Sequence, residues 1–154
     1  MVTRRTCLLI AAAIMSTAYL VDGQERANPL LSRSALPFHA PEFDKIRDAD
    51  FKTAIEAGIA EQRTEIWKIA NNPERPTFEN TIEALERAGQ ALTRALLTFN
   101  GVTSANTNDT LQKIQEEEAP KLAALQNETF LDEKLFKRVE AIYDRRAQLK
   151  GLLQ

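Results

Sequence analysis

Between Ala70 and Ala91 the chain reads ANNPERPTFENTIEALERAGQA: a helix stop, a stiff turn and a helix start in immediate succession. Proline lacks the amide that a helix interior needs and pushes the residue before it toward extended geometry. Asn71-Asn72-Pro73 therefore ends any helix that reaches it. Pro76 stiffens the turn, and Thr77 is a good N-cap for a helix opening at Phe78. The stretch predicts an elbow whose structural residues are Asn72, Pro73, Pro76 and Thr77. Helices joined by so short a connection are expected to pack antiparallel.

Both flanks carry the apolar spacing of helices that bury one face. Upstream, Phe51, Ile55, Ile59, Ile66 and Ile69 form a stripe with Ala54 and Gln62, bordered by Trp67, and Asp48 or Asp50 is the expected cap. Gly58 weakens that helix by about 1 kcal/mol relative to Ala, so its expected use is close approach of a neighbouring helix. Lys52, Glu56, Glu61, Arg63 and Lys68 make up a solvated face. Downstream, Phe78, Ile82, Leu85, Leu92, Leu96 and Phe99 predict one helix to about Phe99, with Ala88 and Gly89 filling a gap in the stripe. Asn100 to Asn108 is polar and reads as a loop. Asn108 or Thr107 then caps a third helix bearing Leu111, Ile114, Leu122 and Leu125. Pro120 is expected to kink it near Glu116 or to start a new one. Asp132, bracketed by Leu131 and Phe136 as in a hydrophobic staple, caps a fourth helix with Leu135, Val139, Ile142, Tyr143 and Leu149. The predicted fold is all-α: antiparallel helical hairpins, about four helices, over residues 48–154.

Two segments precede the helices. Residues 24–47 hold Pro29, Pro37 and Pro41 and no helical period, which predicts an extended arm. Its Leu30, Leu31, Leu36, Phe38, Phe43 and Ile46 are too many apolar residues for a free linker, so the arm is expected to pack against something. Residues 1–23 have the pattern of a secretory signal: Arg4 and Arg5, an apolar run from Cys7 to Leu20, and small residues before Gln24. Cleavage is expected near Gly23 or Ala18, giving an exported, periplasmic protein. The apolar run is short for a membrane span. The only cysteine, Cys7, lies in that segment, so no disulfide is expected and stability must come from packing.

The chemistry-bearing residues are few. With 20 basic and 22 acidic residues and no basic run, nothing points to nucleic acid. An HExxH zinc helix needs two histidines on one helical face, and His39 is the only histidine. A serine triad would have to be assembled around His39 from Ser32, Ser34 or Ser104, none of which has a suitable context. Glu116-Glu117-Glu118 is expected to be a solvated helix turn, since three successive helical positions point in different directions. No catalytic or metal-binding residue is expected in the chain, and no cofactor.

From Asn28 to about Arg146 the sequence resembles the N-terminal portion of bacterial peptidyl-dipeptidases (dipeptidyl carboxypeptidases), thimet oligopeptidase-like zinc metallopeptidases. The resemblance rests on an ordered series: Asn28-Pro29-Leu30-Leu31, Leu36-Pro37, Pro41-Glu42-Phe43 and Ile46; Ala70 to Gly89; Asn106 to Asp109; Glu118 to Leu122; and Leu135 to Arg146. It implies a place in a larger, monomeric, helical enzyme shaped like a clamp around a channel. Such enzymes use zinc held by an HExxH helix and a later glutamate to release dipeptides from the C-termini of oligopeptides. None of those ligands has a counterpart here, so the expected role is an inert wall segment. The closing AQLKGLLQ departs from the family pattern and looks unfinished, as in a truncated or fragmentary product. The alternative is a standalone exported helical interaction module without enzymatic activity.

Overall fold

The computed structural model describes residues 26–146. The expected signal segment, Leu149 and the closing leucines lie outside the described residues. Every regular element among those residues is helical. Helix α1 spans Asp48–Ala70. A π-wound turn at Phe78–Glu83 leads into a short helix α2, Ala84–Arg87. Then follow α3, Gln90–Ala105; α4, Asp109–Phe130; and α5, Glu133–Tyr143. No helix among the described residues is long and apolar enough to cross a membrane.

Helix α1 is the central member. Phe51 stacks edge-on against Phe99 at 5.2 Å, while Gly58 meets Leu92 further along, so α3 runs antiparallel to α1. Helix α4 runs parallel to α1 on another side. Lys52 pairs with Glu117, Glu56 with Lys121 and Arg63 with Glu128, each time at a sequence offset of 65. The core they share contains Phe51, Ile55, Ile59, Leu92, Phe99, Leu111, Ile114 and Leu125, with Leu30 of the arm. A second cluster of Ile66, Ile69, Ala70 and Leu135 closes the elbow end, packed by Leu85 and Ala88. Gly58 has the use expected of it: a Cβ there would lie 2.7 Å from the Leu92 Cα, inside the contact limit.

The helix starts have local causes. Asn108 accepts a bond from the Leu111 amide at 3.0 Å, and Asp132 one from the Leu135 amide at 2.9 Å. Asn108 also donates to Asp48 at 2.8 Å, tying the start of α4 to the start of α1. At α1 itself the cap differs from expectation. Arg47 occupies the N-cap position, and Asp50, in the first turn, accepts its amide at 2.7 Å. Neither aspartate is the cap residue, because the arm already supplies the extended geometry at Arg47 (φ −109°, ψ 153°).

Four further expectations are corrected. The helix after the elbow does not run unbroken from Phe78 to Phe99. It breaks at Ala88 (ψ 145°) and at Gly89, whose φ of +74° is left-handed. Helix α1 imposes the break: Glu65 accepts the Gly89 amide at 2.7 Å, and a Cβ on Gly89 would strike the Gln62 side chain at 2.5 Å. Second, Asn100 to Ala105 is helix rather than loop. Val102 packs on the core and the Thr103 hydroxyl bonds back to the Phe99 carbonyl at 3.0 Å, which offsets the cost of Gly101. Third, no new helix starts at Pro120: α4 continues across it as one helix of 22 residues, tied to α1 on both sides of the proline by ion pairs. Fourth, Glu118 is not solvated but 1% exposed.

The arm packs through Leu30 and Ile46, while Leu31, Leu36, Phe38 and Phe43 are exposed. Arg26 reaches Asp50 and the Lys45 carbonyl, and Asn28 donates to the Asp50 carbonyl at 2.8 Å. Phe38 and His39 both have left-handed backbones, φ 59° and 57°. Non-glycine residues held there cost on the order of 1 kcal/mol or more each. The turn throws Phe38 wholly into solvent.

Candidate functional site: a latched elbow

The feature with the densest polar organisation is the elbow. Asn72, Pro73, Pro76 and Thr77 lie on one connection between α1 and the π-wound turn. The Thr77 hydroxyl accepts the Asn80 amide at 3.1 Å, and Asn80 Oδ1 accepts the Thr77 amide at 2.8 Å, a reciprocal cap. Asn72 holds the turn on its own side by accepting the Glu74 amide at 2.9 Å.

Sequence reasoning did not identify Asn80, which is the hub. Its Oδ1 also receives the Thr81 hydroxyl at 3.0 Å and Arg138 Nη2 at 2.9 Å, while its Nδ2 donates to the Arg75 carbonyl at 3.0 Å. Nor did it identify Arg138, which is 6% exposed on α5. Arg138 Nη1 donates to the carbonyls of Asn72 and Glu74 at 2.8 and 3.1 Å. Two turns along, Arg145 donates to the Pro76 carbonyl at 2.6 Å. The planar guanidinium suits this task because its rigid fork serves several acceptors at once. A usable signal existed: Leu135, Arg138, Ile142 and Arg145 recur at helical spacing, so both arginines stand in an apolar stripe.

The arrangement satisfies backbone carbonyls. It presents neither nucleophile nor acid–base pair. His39 stands elsewhere, exposed on the arm, with Nδ1 2.8 Å from the Ser34 carbonyl and no hydrogen bond to a hydroxyl among the described residues. No three His, Cys, Asp or Glu side chains among the described residues are grouped to hold a metal ion. This donor set does not fit zinc, and no catalytic step can be drawn through one. Of the acidic run, Glu117 is held below the usual carboxylate range by its hydrogen bond to Lys52. Glu118 Oε1 accepts Lys121 Nζ at 2.8 Å, and the same ammonium reaches Glu56 at 2.5 Å. Those two contacts raise the Lys121 pKa above the usual lysine range, Glu118 contributing most. Glu117 directly, and Glu118 through Lys121, brace α4 against α1, while Glu116 is exposed.

No known protein-family profile matches the chain. Two curated proteins do. The dipeptidyl carboxypeptidase of Salmonella typhimurium is 43% identical over 122 residues, and that of Escherichia coli 44% identical over 122 residues. In each case the match takes in 79% of this chain and 18% of the relative, so the chain spans about a fifth of the length of the relatives it matches.

Proposed function

Since the chain matches a fragment of a peptidyl-dipeptidase, we propose that it forms a non-catalytic wall segment of an exported, zinc-dependent enzyme that removes dipeptides from oligopeptide C-termini. The observation that carries this reading is the identity of 43 to 44% sustained over 122 residues. The all-helical architecture agrees with a helical clamp around a peptide channel. On this reading the zinc ligands belong to the remaining length of such an enzyme, and the segment by itself is inert. Export to the periplasm rests on the basic and apolar pattern of residues 1–23.

What the segment supplies is rigidity. The elbow carbonyls are held by two arginines, and α1 is braced against α4 by three ion pairs. A rigid wall keeps a channel narrow without touching the chemistry.

A chimera tests the reading. The matched segment of the Escherichia coli enzyme is replaced by that of this chain, and dipeptide release from an oligopeptide is followed alongside zinc content. Retained release is expected, with none from this chain alone. A folded, zinc-loaded chimera that releases no dipeptide would sink the proposal. A standalone interaction module is favoured by one observation, the continuous core that α1 builds with α3 and α4. That reading predicts an inactive chimera and a sharp melt of the isolated chain.

A further inference from the structure

The arm does not close on α3; it spans a gap. Between them lies a cavity of about 240 Å³, floored by Leu30, Ile46 and the buried Thr98, and walled by Leu97. The surface it exposes is mainly apolar, although Ser32, Ser34, His39, Glu42, Arg94 and Thr98 all contribute to the lining. Arg94 is half-buried, and its guanidinium makes no hydrogen bond or ion pair among the described residues. The Thr98 hydroxyl is already spent on the Arg94 carbonyl at 2.9 Å. Glu42, the one acidic residue of the lining, is paired with Lys45. The cavity therefore offers hydrocarbon walls and one uncommitted positive charge.

The arm is also built to leave this space open. Phe38 is next in sequence to the lining residue His39 but is not itself part of the lining. Instead the left-handed pair Phe38-His39 turns it entirely outward, and the His39 ring is fastened to the Ser34 carbonyl at 2.8 Å. Backbone strain that keeps a large apolar residue in water beside an apolar cavity is the kind of outlier that marks a ligand site.

We propose that the cavity between the arm and α3 binds a small organic carboxylate with an apolar body, its carboxylate on Arg94 and its hydrocarbon against Leu30, Ile46 and Leu97. Charge complementarity selects an anion, since the acidic lining residue is neutralised and the guanidinium is not. A guanidinium fork takes a carboxylate through two parallel bonds, which fixes the ligand's orientation. The proposal is independent of any peptidase chemistry and shares no residue with the latched elbow.

The test is a titration of the full chain with 4-methylpentanoate, following backbone amide shifts. The neutral 4-methylpentanamide serves as control. The expected result is saturable shifts confined to the arm and α3, with the amide binding about tenfold more weakly, as loss of a charged hydrogen-bonded pair requires. Arg94→Gln should weaken the acid to the level of the amide. Leu97→Glu, at an exposed position, should weaken the acid more than the amide, because repulsion of the carboxylate adds to the loss of an apolar contact that both ligands share. Equal affinity for acid and amide, an Arg94→Gln protein that binds the acid unimpaired, or shifts elsewhere in the chain would each overturn the assignment. So would the absence of saturable shifts.

Discussion

Replacing Arg138 by methionine removes the latch while keeping the length and apolar stem of the side chain. The guanidinium makes three hydrogen bonds, to the Asn72 and Glu74 carbonyls and to Asn80 Oδ1, at 2.8, 3.1 and 2.9 Å. Hydrogen bonds to charged groups contribute about 1.5–3 kcal/mol each, but bonds from one group are not additive. Both carbonyls belong to residues that keep some contact with water, so their loss is partly repaid by hydration. Asn80 Oδ1 retains the Thr77 amide and the Thr81 hydroxyl. The cost should therefore fall at about 2–4 kcal/mol, near that of breaking a buried polar network. Urea unfolding of the full chain, with the slope held in common, measures it. Arg138→Lys should recover less than half, because an ammonium cannot match a planar fork spanning three acceptors. Arg145→Met, which loses a single bond to the Pro76 carbonyl, should cost about 1–2 kcal/mol. An Arg138→Met protein within about 0.5 kcal/mol of the parent, as surface substitutions are, would refute the latch. A lysine variant indistinguishable from the parent would refute the geometric part of the argument.

Gly58→Ala should destabilise by about 1–3 kcal/mol even though alanine is the better helix former, since the new methyl meets Leu92 backbone atoms at 2.7 and 2.9 Å. Thermal unfolding checks it, and a stabilised variant would mean that α1 and α3 are less closely packed. Thr77→Ala removes an N-cap and should cost about 1 kcal/mol in the same assay; in the chimera it should leave zinc content unchanged. Glu117 and Glu128 are held below the usual carboxylate range by hydrogen bonds to Lys52 and Arg63. Their contribution to stability is thus complete above that range and is lost as pH falls through it to their lowered values. Carboxyl NMR titration with melts at stepped acid pH checks the sign; unshifted midpoints would remove both braces from the account.

The elbow shows how far local rules reach. Pro73 and Pro76 lie in the non-helical turn that follows α1, and Thr77, Asn108 and Asp132 cap the turns that follow, because each acts within three or four residues of itself. Phe51, Ile55, Ile59 and Leu92 were assigned to the core by spacing alone, and they are buried. Those effects need no partner from elsewhere in the chain, and so the all-helical class and the antiparallel hairpin could be read from the string of residues.

What the sequence left open is what distant residues decide. Gly89 breaks a helix because Glu65 and Gln62 of α1 stand opposite it. Asn100 to Ala105 stays helical because Val102 has a core to enter, and Lys121, the counter-charge of buried Glu118, is itself held by Glu56 of α1. Asn80 and Arg138 meet across 58 residues, a proximity that no period or propensity encodes. Periodicity states which face of a helix is apolar. Only the packed helices determine which polar side chains that face must also take in, since a buried carbonyl or carboxylate has to find its partner wherever the fold has placed one.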